Sequence, residues 1–318
     1  MAQVVTLTLN PAIDLPTSVD RVEPVRKLRC GPGRRDPGGG GINVARAATR
    51  LGCAATAVFP IGGEVGQMLN RLVVAEGVAS VTIPIAGETR EDVTIFDRAR
   101  GEQYRFVLPG PPLLADEWTA CLEALRSLGP GPGPGPAYVC ASGSLPPGAP
   151  DDAYAQVAEM ASAWGARLLL DTSGAALRTA LEAPVHLIKP NLRELRELTG
   201  EALEDQAAMV RACRGLIAGG RVEAVALSLG AEGALLVTRQ AAWRAAALDI
   251  RPASTVGAGD SFLGVMVWAL AAGRPLDEAF RWAVAGGSAA LLAEGTELCL
   301  AADVGRLVSQ VEIKSVDA

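Results

Sequence analysis

Short apolar runs alternate with longer segments of helical spacing along most of the chain. Residues 4–9 form such a run, which ends at Asn10-Pro11 and predicts a buried first strand. The other predicted strands of this kind lie at 54–61, 137–142, 166–170, 186–188 and 222–229. The predicted helices lie at 66–76, 114–128, 192–198, 207–218, 258–272, 276–293 and about 302–311, besides one that ends at Leu51-Gly52. This alternation predicts an α/β fold with a doubly wound, mostly parallel sheet and helices on both faces.

Two regions interrupt this alternation. Segments 79–86, 92–97 and 103–108 are β-branched or alternating without helical spacing, which predicts an antiparallel patch. Residues 15–36 are basic and rich in proline and do not resemble a core element, so both regions together predict a small second sheet over a cleft. A separate antiparallel edge is predicted for 234–238 with 242–247. The Gly-Pro repeat at 129–136 predicts a surface loop that is too short to separate domains.

Composition excludes several classes of protein. Hydrophobic residues make up 49% of the 318 positions and aromatic residues only 4%, which suits layered α/β packing. A net charge of −6 gives no basic footprint for nucleic acid. Six scattered cysteines without a C-x-x-C pair support neither a zinc site nor a disulfide framework. The N-terminus lacks a signal-peptide pattern, and no apolar run reaches the ~18 residues of a membrane span. We therefore expect a soluble, cytoplasmic protein.

The most informative stretch is Thr255–Asp260, which precedes the apolar run 261–270. Two glycines expose consecutive backbone N–H groups ahead of a buried helix, and such a helix N-terminus binds anions. A carboxylate at Asp260 is awkward beside an anion, but it suits a general base that removes a proton from a hydroxyl. The pattern alone allows an ordinary turn before a core helix equally well.

Further glycine and polar positions fall at the predicted ends of strands, where ligands bind in doubly wound sheets. They are Asp14, Gly38–Gly41, Ser142–Ser144, Asp171, Lys189–Asn191 and Ser228–Gly230. The single histidine, His186, enters a strand, which argues against hydrolases that need a catalytic histidine. The lysine-containing phosphate loop is absent, and the glycine run lacks the acidic residue of a dinucleotide site.

Two of these motifs, residues 37–47 and 254–261, resemble the signatures of the ribokinase-like (PfkB) sugar kinases. Lys189–Glu194 is similar to the family's N-x-x-E element, and residues 228–233 are similar to its nucleotide loop. Other stretches resemble the sugar-phosphate branch of the family, and within it the minor 6-phosphofructokinases. They are 6–11 with Asp14, 27–30, 101–107, 142–148, and Gly40, where other kinases of that branch usually have lysine. The resemblance covers nearly the whole chain. It implies one ribokinase-like domain over 1–318, with a small antiparallel lid inserted from about 15–36 and 88–108.

The activity implied by this resemblance is ATP-dependent phosphorylation of fructose 6-phosphate at C1 to fructose 1,6-bisphosphate. Asp260 would be the general base, and the amides of Gly257, Ala258 and Gly259 would stabilise the transferring phosphoryl group. The residues implied for the sugar hydroxyls are Asp14, Gly38, Gly39 and Asn43. Those implied for the existing phosphate are Lys27, Arg29, Arg90, Arg105 and Ser144.

The resemblance also implies the nucleotide and metal sites. Lys189 would reach the ATP phosphates, while Asn191 and Glu194 would hold Mg²⁺ through water. The residues implied for the rest of the nucleotide are Ser228, Gly230, Gly233 and Thr255. The residues implied for a monovalent cation, commonly potassium, are Ser254, Val256, Ala293 and Gly295. Glu297, where the relatives would have a basic residue, and Gly31–Arg35 depart from the family's pattern.

The expected partners are a sugar phosphate, ATP and a second copy of the chain, which would pack through the lid. One alternative keeps the chemistry and changes the acceptor to fructose 1-phosphate or tagatose 6-phosphate. Another is a non-catalytic protein that binds sugar phosphates or nucleotides on the same fold. A dinucleotide-dependent dehydrogenase is a weaker alternative, since its fingerprint is missing.

Overall fold

The computed structural model describes residues 3–131, 135–293 and 295–316. Within them, a ten-stranded sheet carries the core, and a four-stranded sheet lies beside it. The strands are β1 (Val4–Leu7), β2 (Ala12–Val19), β3 (Asp36–Gly38), β4 (Ala55–Ile61), β5 (Ala79–Pro84), β6 (Arg90–Asp97), β7 (Glu102–Phe106), β8 (Tyr138–Ser142), β9 (Arg167–Asp171), β10 (Val185–Ile188), β11 (Val222–Ser228), β12 (Ala234–Thr238), β13 (Ala242–Ala245) and β14 (Ile313–Ser315).

The large sheet has the strand order β14-β13-β12-β11-β10-β9-β8-β1-β4-β5. All pairs from β11 to β5 are parallel, and the three pairs from β11 to β14 are antiparallel. Parallel strands are covered on both faces, and the run Leu168–Leu170 is accordingly buried at every position. The doubly wound, mostly parallel α/β sheet predicted from the sequence is confirmed.

The helices cover the two faces of this sheet. They are α1 (Gly40–Arg50), α2 (Gly63–Ala75), α3 (Ala115–Arg126), α4 (Ala153–Ala163), α5 (Gly174–Ala180), α6 (Leu192–Thr199), α7 (Gln206–Ala218), α8 (Ala258–Ala271), α9 (Leu276–Ala290) and α10 (Ala301–Leu307). One apolar cluster joins α1, α2, α8, α9 and α10 to the sheet, and a second joins α3 to α7 to the opposite face. No helix among the described residues is long and apolar enough to cross a membrane.

The close packing of α8 on α1 matters most for function. Every residue of α8 from Ser261 onward is buried. A Cβ at Gly264 would lie only 2.7 Å from the Cβ of Ala47, so glycine at this position lets the two helices approach closely. The first turns of both helices thereby come together at one edge of the sheet.

The second sheet, which we call the lid, has the order β3-β2-β6-β7. It contains Asp14, which was predicted to lie at the end of a strand but is inside β2. The prediction of a wholly antiparallel lid is wrong in one pair, because β2 and β6 run parallel. β1 and β5 have the same direction in the large sheet, and each is followed in the chain by one of these lid strands. β2 and β6 therefore leave the large sheet in the same direction, which accounts for their parallel pairing.

Other predictions need correction at the edges of the fold. Segment 79–86 was predicted in the antiparallel patch, but β5 pairs in parallel with β4 at the edge of the large sheet. β5 has a neighbouring strand on one side only and is mostly half-exposed, which explains its polar alternation. The last predicted helix is shorter, since α10 ends at Leu307 and a 3₁₀ turn spans Val308–Gln310. The predicted surface loop at 129–136 includes residues 132–134, which lie outside the described residues.

Candidate active site

The N-terminus of α8 is built to receive an anion. Gly257 precedes the helix with a left-handed φ of 77°, a conformation that favours glycine. The first helical hydrogen bond runs from the amide of Ser261 to the carbonyl of Gly257, at 2.8 Å. The amides of Ala258, Gly259 and Asp260 therefore have no partner within the helix. These three N–H groups and the positive end of the helix dipole favour negative charge.

Asp260 lies in the first turn of α8, beside these amides. Its Oδ2 accepts a hydrogen bond from Nδ2 of Asn43 in the first turn of α1, at 2.9 Å. Burial raises the pKa of Asp260 above its ordinary value, while the Asn43 hydrogen bond and the nearby charges of Lys189 and Arg105 oppose the rise. A carboxylate whose pKa is raised is a stronger proton acceptor, which suits a general base.

Lys189 approaches the same amides from the end of β10. Its side chain is 7% exposed, and its Nζ lies 2.9 Å from Oδ2 of Asp171 at the end of β9. Burial alone would lower the pKa of Lys189, but the Asp171 carboxylate holds it above the ordinary value, so the side chain is charged. A Cβ at Gly259 would lie 3.3 Å from this ammonium. A buried cation and the α8 amides thus face the same space.

Asp14 and the glycine run form another wall of the site. A Cβ at Gly38 would lie 2.6 Å from Oδ2 of Asp14, so glycine is needed where the carboxylate packs. Burial raises the pKa of Asp14 to about 7, and Asp92, its register partner on β6, adds to the rise. The charge of Arg105 opposes the rise at Asp14 as it does at Asp260. Arg105 on β7 is therefore close enough to act on both carboxylates.

The rest of the glycine run is constrained by its neighbours. Gly39 has a φ of 109°, and a Cβ there would lie 2.7 Å from the Thr8 side chain. A Cβ at Gly40 would overlap the Oγ of Ser142 and approach its backbone carbon to 2.9 Å. A lysine at position 40 is thus incompatible with the position of Ser142 in this chain.

Two of the predicted phosphate contacts, Arg90 and Ser144, converge on Asn10. Arg90 donates to the Asn10 carbonyl at 3.0 Å, and Nδ2 of Asn10 lies 3.3 Å from Oγ of Ser144. All three line an open cavity of about 590 Å³. Arg90 is further fixed by Asp92, whose Oδ2 lies 3.2 Å from Nη1. The basic and hydroxyl groups thus meet in one polar cavity.

Lys27 and Arg29 are not brought into this cluster. Both lie in the segment between β2 and β3 and are exposed. Neither takes part in an ion pair found among the described residues. Their predicted place at the substrate's phosphate stays a prediction.

The predicted nucleotide residues lie beside Lys189, along the ends of β10 and β11. Asn191 and Glu194 form a reciprocal cap on α6, each side chain accepting from the other's amide at 2.9 Å. The amide of Ser228 donates to the Pro190 carbonyl at 3.0 Å, which joins the two strand ends. The remaining predicted residues are Gly230, which begins the 3₁₀ turn after β11, Gly233, which follows that turn, and Thr255, which is exposed.

The predicted cation residues belong to two facing loops. Oγ of Ser254 donates to the Gly295 carbonyl at 2.6 Å and accepts from the Val256 amide at 3.2 Å. The loop also contacts the lid, since Nε2 of Gln103 on β7 lies 3.3 Å from Oγ of Ser254. Ala293 ends the preceding turn, next to a residue outside the described part of the chain.

The two departures from the family's pattern meet at this loop. Nη1 of Arg34 lies 3.7 Å from Oε2 of Glu297, and its Nε lies 2.7 Å from Oδ1 of Asp36 on β3. Thr296 also donates to Asp36. In this chain, therefore, the acidic residue at 297 joins the cation loop to the lid through an arginine of the 31–35 segment.

The sequence did not reveal three side chains that shape the site. Asp171 and Asn10 were visible only as polar residues at strand ends, and no local pattern indicates their partners Lys189 and Arg90. Arg46 lies inside α1, where an arginine ordinarily signals a solvated face, but it is 2% exposed. The only sign in the sequence that Arg46 is buried was that a charged residue stands among the apolar positions of α1.

Comparison with known proteins agrees with this geometry. A model of the pfkB family of carbohydrate kinases matches residues 3–303. The ATP-dependent 6-phosphofructokinase isozyme 2 of Mycobacterium tuberculosis is 45% identical over 304 residues, covering 96% of this chain and 88% of that protein. Phosphofructokinase-2 from Escherichia coli superposes with a TM-score of 0.92 in its potassium complex, at 38% identity, covering 98% and 99% of the two chains. Its complex with fructose 6-phosphate superposes with a TM-score of 0.90, at 37% identity and the same coverage. The chain belongs to the pfkB family of carbohydrate kinases.

Proposed function

We propose that this carbohydrate kinase is an ATP-dependent 6-phosphofructokinase that phosphorylates fructose 6-phosphate at C1. The observation that carries the proposal is the Asp260 carboxylate, held by Asn43 at 2.9 Å beside the free amides of α8 and the Lys189 ammonium. A base next to an anion nest and a buried cation provides what phosphoryl transfer requires. The Mycobacterium tuberculosis relative and the fructose 6-phosphate complex of the Escherichia coli enzyme support this acceptor.

In the proposed reaction, Asp260 accepts the proton of the C1 hydroxyl as that oxygen forms a bond to the γ-phosphorus of ATP. The bond from the γ-phosphorus to the bridging oxygen breaks, and ADP leaves with the electron pair. The amides of Gly257, Ala258 and Gly259 stabilise the charge on the phosphoryl oxygens. Asp14, Gly38, Gly39 and Asn43 hold the sugar hydroxyls.

The acceptor's existing phosphate is proposed to bind among basic and hydroxyl groups. Arg90 and Ser144 line the cavity at Asn10, and the other proposed contacts are Arg105, Lys27 and Arg29. A dianionic group suits this cavity because the Arg90 guanidinium is a cation that can donate to phosphate oxygens.

ATP is proposed to lie along the ends of β10 and β11. Lys189 contacts its phosphates, and Ser228, Gly230, Gly233 and Thr255 border the rest of the nucleotide. The capping pair Asn191 and Glu194 fits an indirect role toward Mg²⁺, since one oxygen of each side chain is already used at the helix cap. Mg²⁺ keeps several waters in most protein sites and would neutralise phosphate charge. The donor set therefore suits a water-mediated contact.

A monovalent cation is proposed at the facing loops of Ser254 and Gly295, with Val256 and Ala293 completing the site. The potassium complex of the Escherichia coli enzyme supports this cation. We also propose that the lid joins two copies of the chain, because its strands and the segment that follows expose Phe96, Phe106, Val107 and Leu108. A purely monomeric mass in sedimentation velocity at micromolar concentration would contradict that pairing.

The acceptor can be tested directly with purified protein and MgATP. We expect kcat/KM for fructose 6-phosphate to exceed the values for fructose 1-phosphate and tagatose 6-phosphate by about tenfold or more, since binding contacts that fit only one acceptor are worth about 1–3 kcal/mol. The coupled release of ADP is the measurement, with Asp260→Asn as the blank. If the enzyme prefers another acceptor, the proposed substrate is wrong and the proposed phosphoryl transfer still holds. Binding of both ligands without ADP release would favour the non-catalytic alternative.

The pH dependence of acceptor use tests Asp14. With its pKa at about 7, Asp14 takes up a proton below neutrality, loses its charge and becomes a weaker acceptor for a sugar hydroxyl. We expect kcat/KM for fructose 6-phosphate to fall toward tenfold per pH unit below that value. Asp92 and Asp260 raise this pKa and Arg105 and Arg46 lower it, so Asp92→Asn should move the decline to lower pH.

The control for this profile is Asp14→Asn. The substrate's own phosphate titrates near pH 6 and contributes to any acidic decline. The Asp14→Asn variant lacks the Asp14 carboxylate, but its substrate phosphate still titrates. The difference between the pH profiles of the wild type and the variant therefore reports the titration of Asp14. Identical profiles for the wild type and the variant would contradict the assignment.

A further inference from the structure

A buried arginine in α1 connects the proposed base to a second helix. Arg46 is 2% exposed, and its Nη1 donates to the Pro37 carbonyl and to Oδ1 of Asn43, both at 2.8 Å. Its Nη2 lies 2.5 Å from Oε1 of Glu76, the residue that follows α2. Burying a guanidinium is unfavourable unless it is paired, and these contacts engage both Nη nitrogens, whereas the buried Nε has no hydrogen-bond partner among the described residues.

The chemistry of the guanidinium fixes the orientation of the Asn43 amide. Arginine only donates hydrogen bonds, so the atom of Asn43 that faces Arg46 must be the oxygen. The NH₂ group is then turned toward Asp260, to which it donates at 2.9 Å. The flipped amide would place N–H groups against the guanidinium and an oxygen against the carboxylate, and both contacts would be repulsive.

Arg46 is itself held in place. Glu76 also accepts from Nη2 of Arg50 at 3.0 Å, one helical turn further along α1. Arg50 donates in addition to the Leu298 carbonyl at 3.0 Å and makes no hydrogen bond to Asn43. Glu76 thus anchors two arginines on one face of α1, and only Arg46 reaches toward the site.

We infer that Arg46 is a positioning residue, which orients the Asn43 amide so that Asn43 donates to Asp260. The inference rests on the proposed role of Asp260 as the base. Arg46 does not touch the reacting atoms. Its charge also lowers the pKa of Asp260 and of Asp14, and this electrostatic effect is kept in Arg46→Lys. The orienting effect should appear in the rate of phosphoryl transfer and disappear when Asn43 is absent.

A double-mutant cycle on Arg46 and Asn43 tests this dependence. Arg46→Met is expected to lower kcat about tenfold or more in the wild-type background, in line with the loss of a hydrogen bond to a charged group. In the Asn43→Ala background the same change should lower kcat less than about threefold. KM for MgATP should stay unchanged in both, whereas a general loss of structure would alter it. Losses in kcat that multiply across the two backgrounds would overturn the inference.

Two further variants separate positioning from folding. Arg50→Met removes the other arginine paired with Glu76, and we expect a lower melting temperature with kcat close to that of the wild type. A loss in Arg50→Met equal to that in Arg46→Met would overturn the inference. If Arg46→Met does not fold, Arg46→Lys keeps a charge opposite Glu76 but has a single nitrogen, and the same cycle is expected with it.

The proposed function fails in a different way. If Asp260 is not the base, Asp260→Asn retains its activity whatever Arg46 does. If Arg46 does not orient Asn43, Asp260→Asn is inactive but the Arg46 and Asn43 losses multiply. The two results cannot be confused.

Discussion

Asp260→Asn is expected to lower kcat by about 10²- to 10⁴-fold, the range that general base catalysis contributes. The amide cannot take the proton of the C1 hydroxyl, but it keeps the shape of the side chain and an oxygen that can accept from Asn43. Binding of fructose 6-phosphate and MgATP should therefore change little. The measurements are steady-state turnover and the affinity for each substrate.

The stability of the same variant should not fall. Burial raises the pKa of Asp260, so ionisation of this carboxyl disfavours the folded state. This destabilisation sets in above the ordinary pKa, is complete above the raised pKa and is absent at lower pH. A neutral amide removes this unfavourable term, and the melting temperature of Asp260→Asn should equal or exceed that of the wild type. Inactive protein with undiminished stability distinguishes a lost base from a damaged fold.

Asp277→Asn is the matched control. Asp277 occupies the first turn of α9, where it interacts with a helix dipole much as Asp260 does in α8. The same change there removes an acid from a helix N-terminus outside the site, and kcat should be unaffected. Turnover of Asp260→Asn within about tenfold of the wild type would contradict the base assignment, because a base contributes at least about 10²-fold.

Local patterns were enough to predict the centre of the fold and of the site. The run behind Gly257 predicts a buried helix because it is apolar on all sides, and α8 is buried throughout from Ser261. Parallel strands end at a common edge, so polar residues after β9 and β10 could be expected to meet. The contact of Lys189 with Asp171 agrees with that geometry.

What the sequence could not predict depends on partners far away in the chain. The pairing of Arg46 with Glu76 requires the C-terminal end of α2 to lie close to α1. Arg46 falls within the motif of residues 37–47, but Glu76 lies in no motif that would indicate this pairing. β5 was assigned to the wrong sheet because its half-exposed edge gives the same alternation as a lid strand. The segment that holds Lys27 and Arg29 has no periodicity from which a position could be inferred.

Lys189→Met is expected to lower kcat/KM for MgATP by about 10²- to 10³-fold, the usual loss when one stabilising group is removed from a phosphoryl or oxyanion site. Methionine keeps much of the length of the side chain but removes the ammonium that faces Gly259. KM for fructose 6-phosphate should change little, since Lys189 is proposed to contact the nucleotide. Initial rates over a range of MgATP concentrations provide the measurement.

The single variant also leaves Asp171 buried without its cation, which by itself destabilises proteins by about 3–5 kcal/mol. The double variant Lys189→Met/Asp171→Asn removes both charges and should recover most of the melting temperature. If Lys189 acts on the ATP phosphates, the double variant stays as inactive as the single one. Recovery of activity together with stability would show that Lys189 only neutralises Asp171, and the phosphate contact would have to be assigned elsewhere. Lys189 Nζ and Asp171 Oδ2 lie 2.9 Å apart at the ends of adjacent strands. The effect of Lys189 on stability can therefore be separated from its effect on catalysis only by removing both charges together.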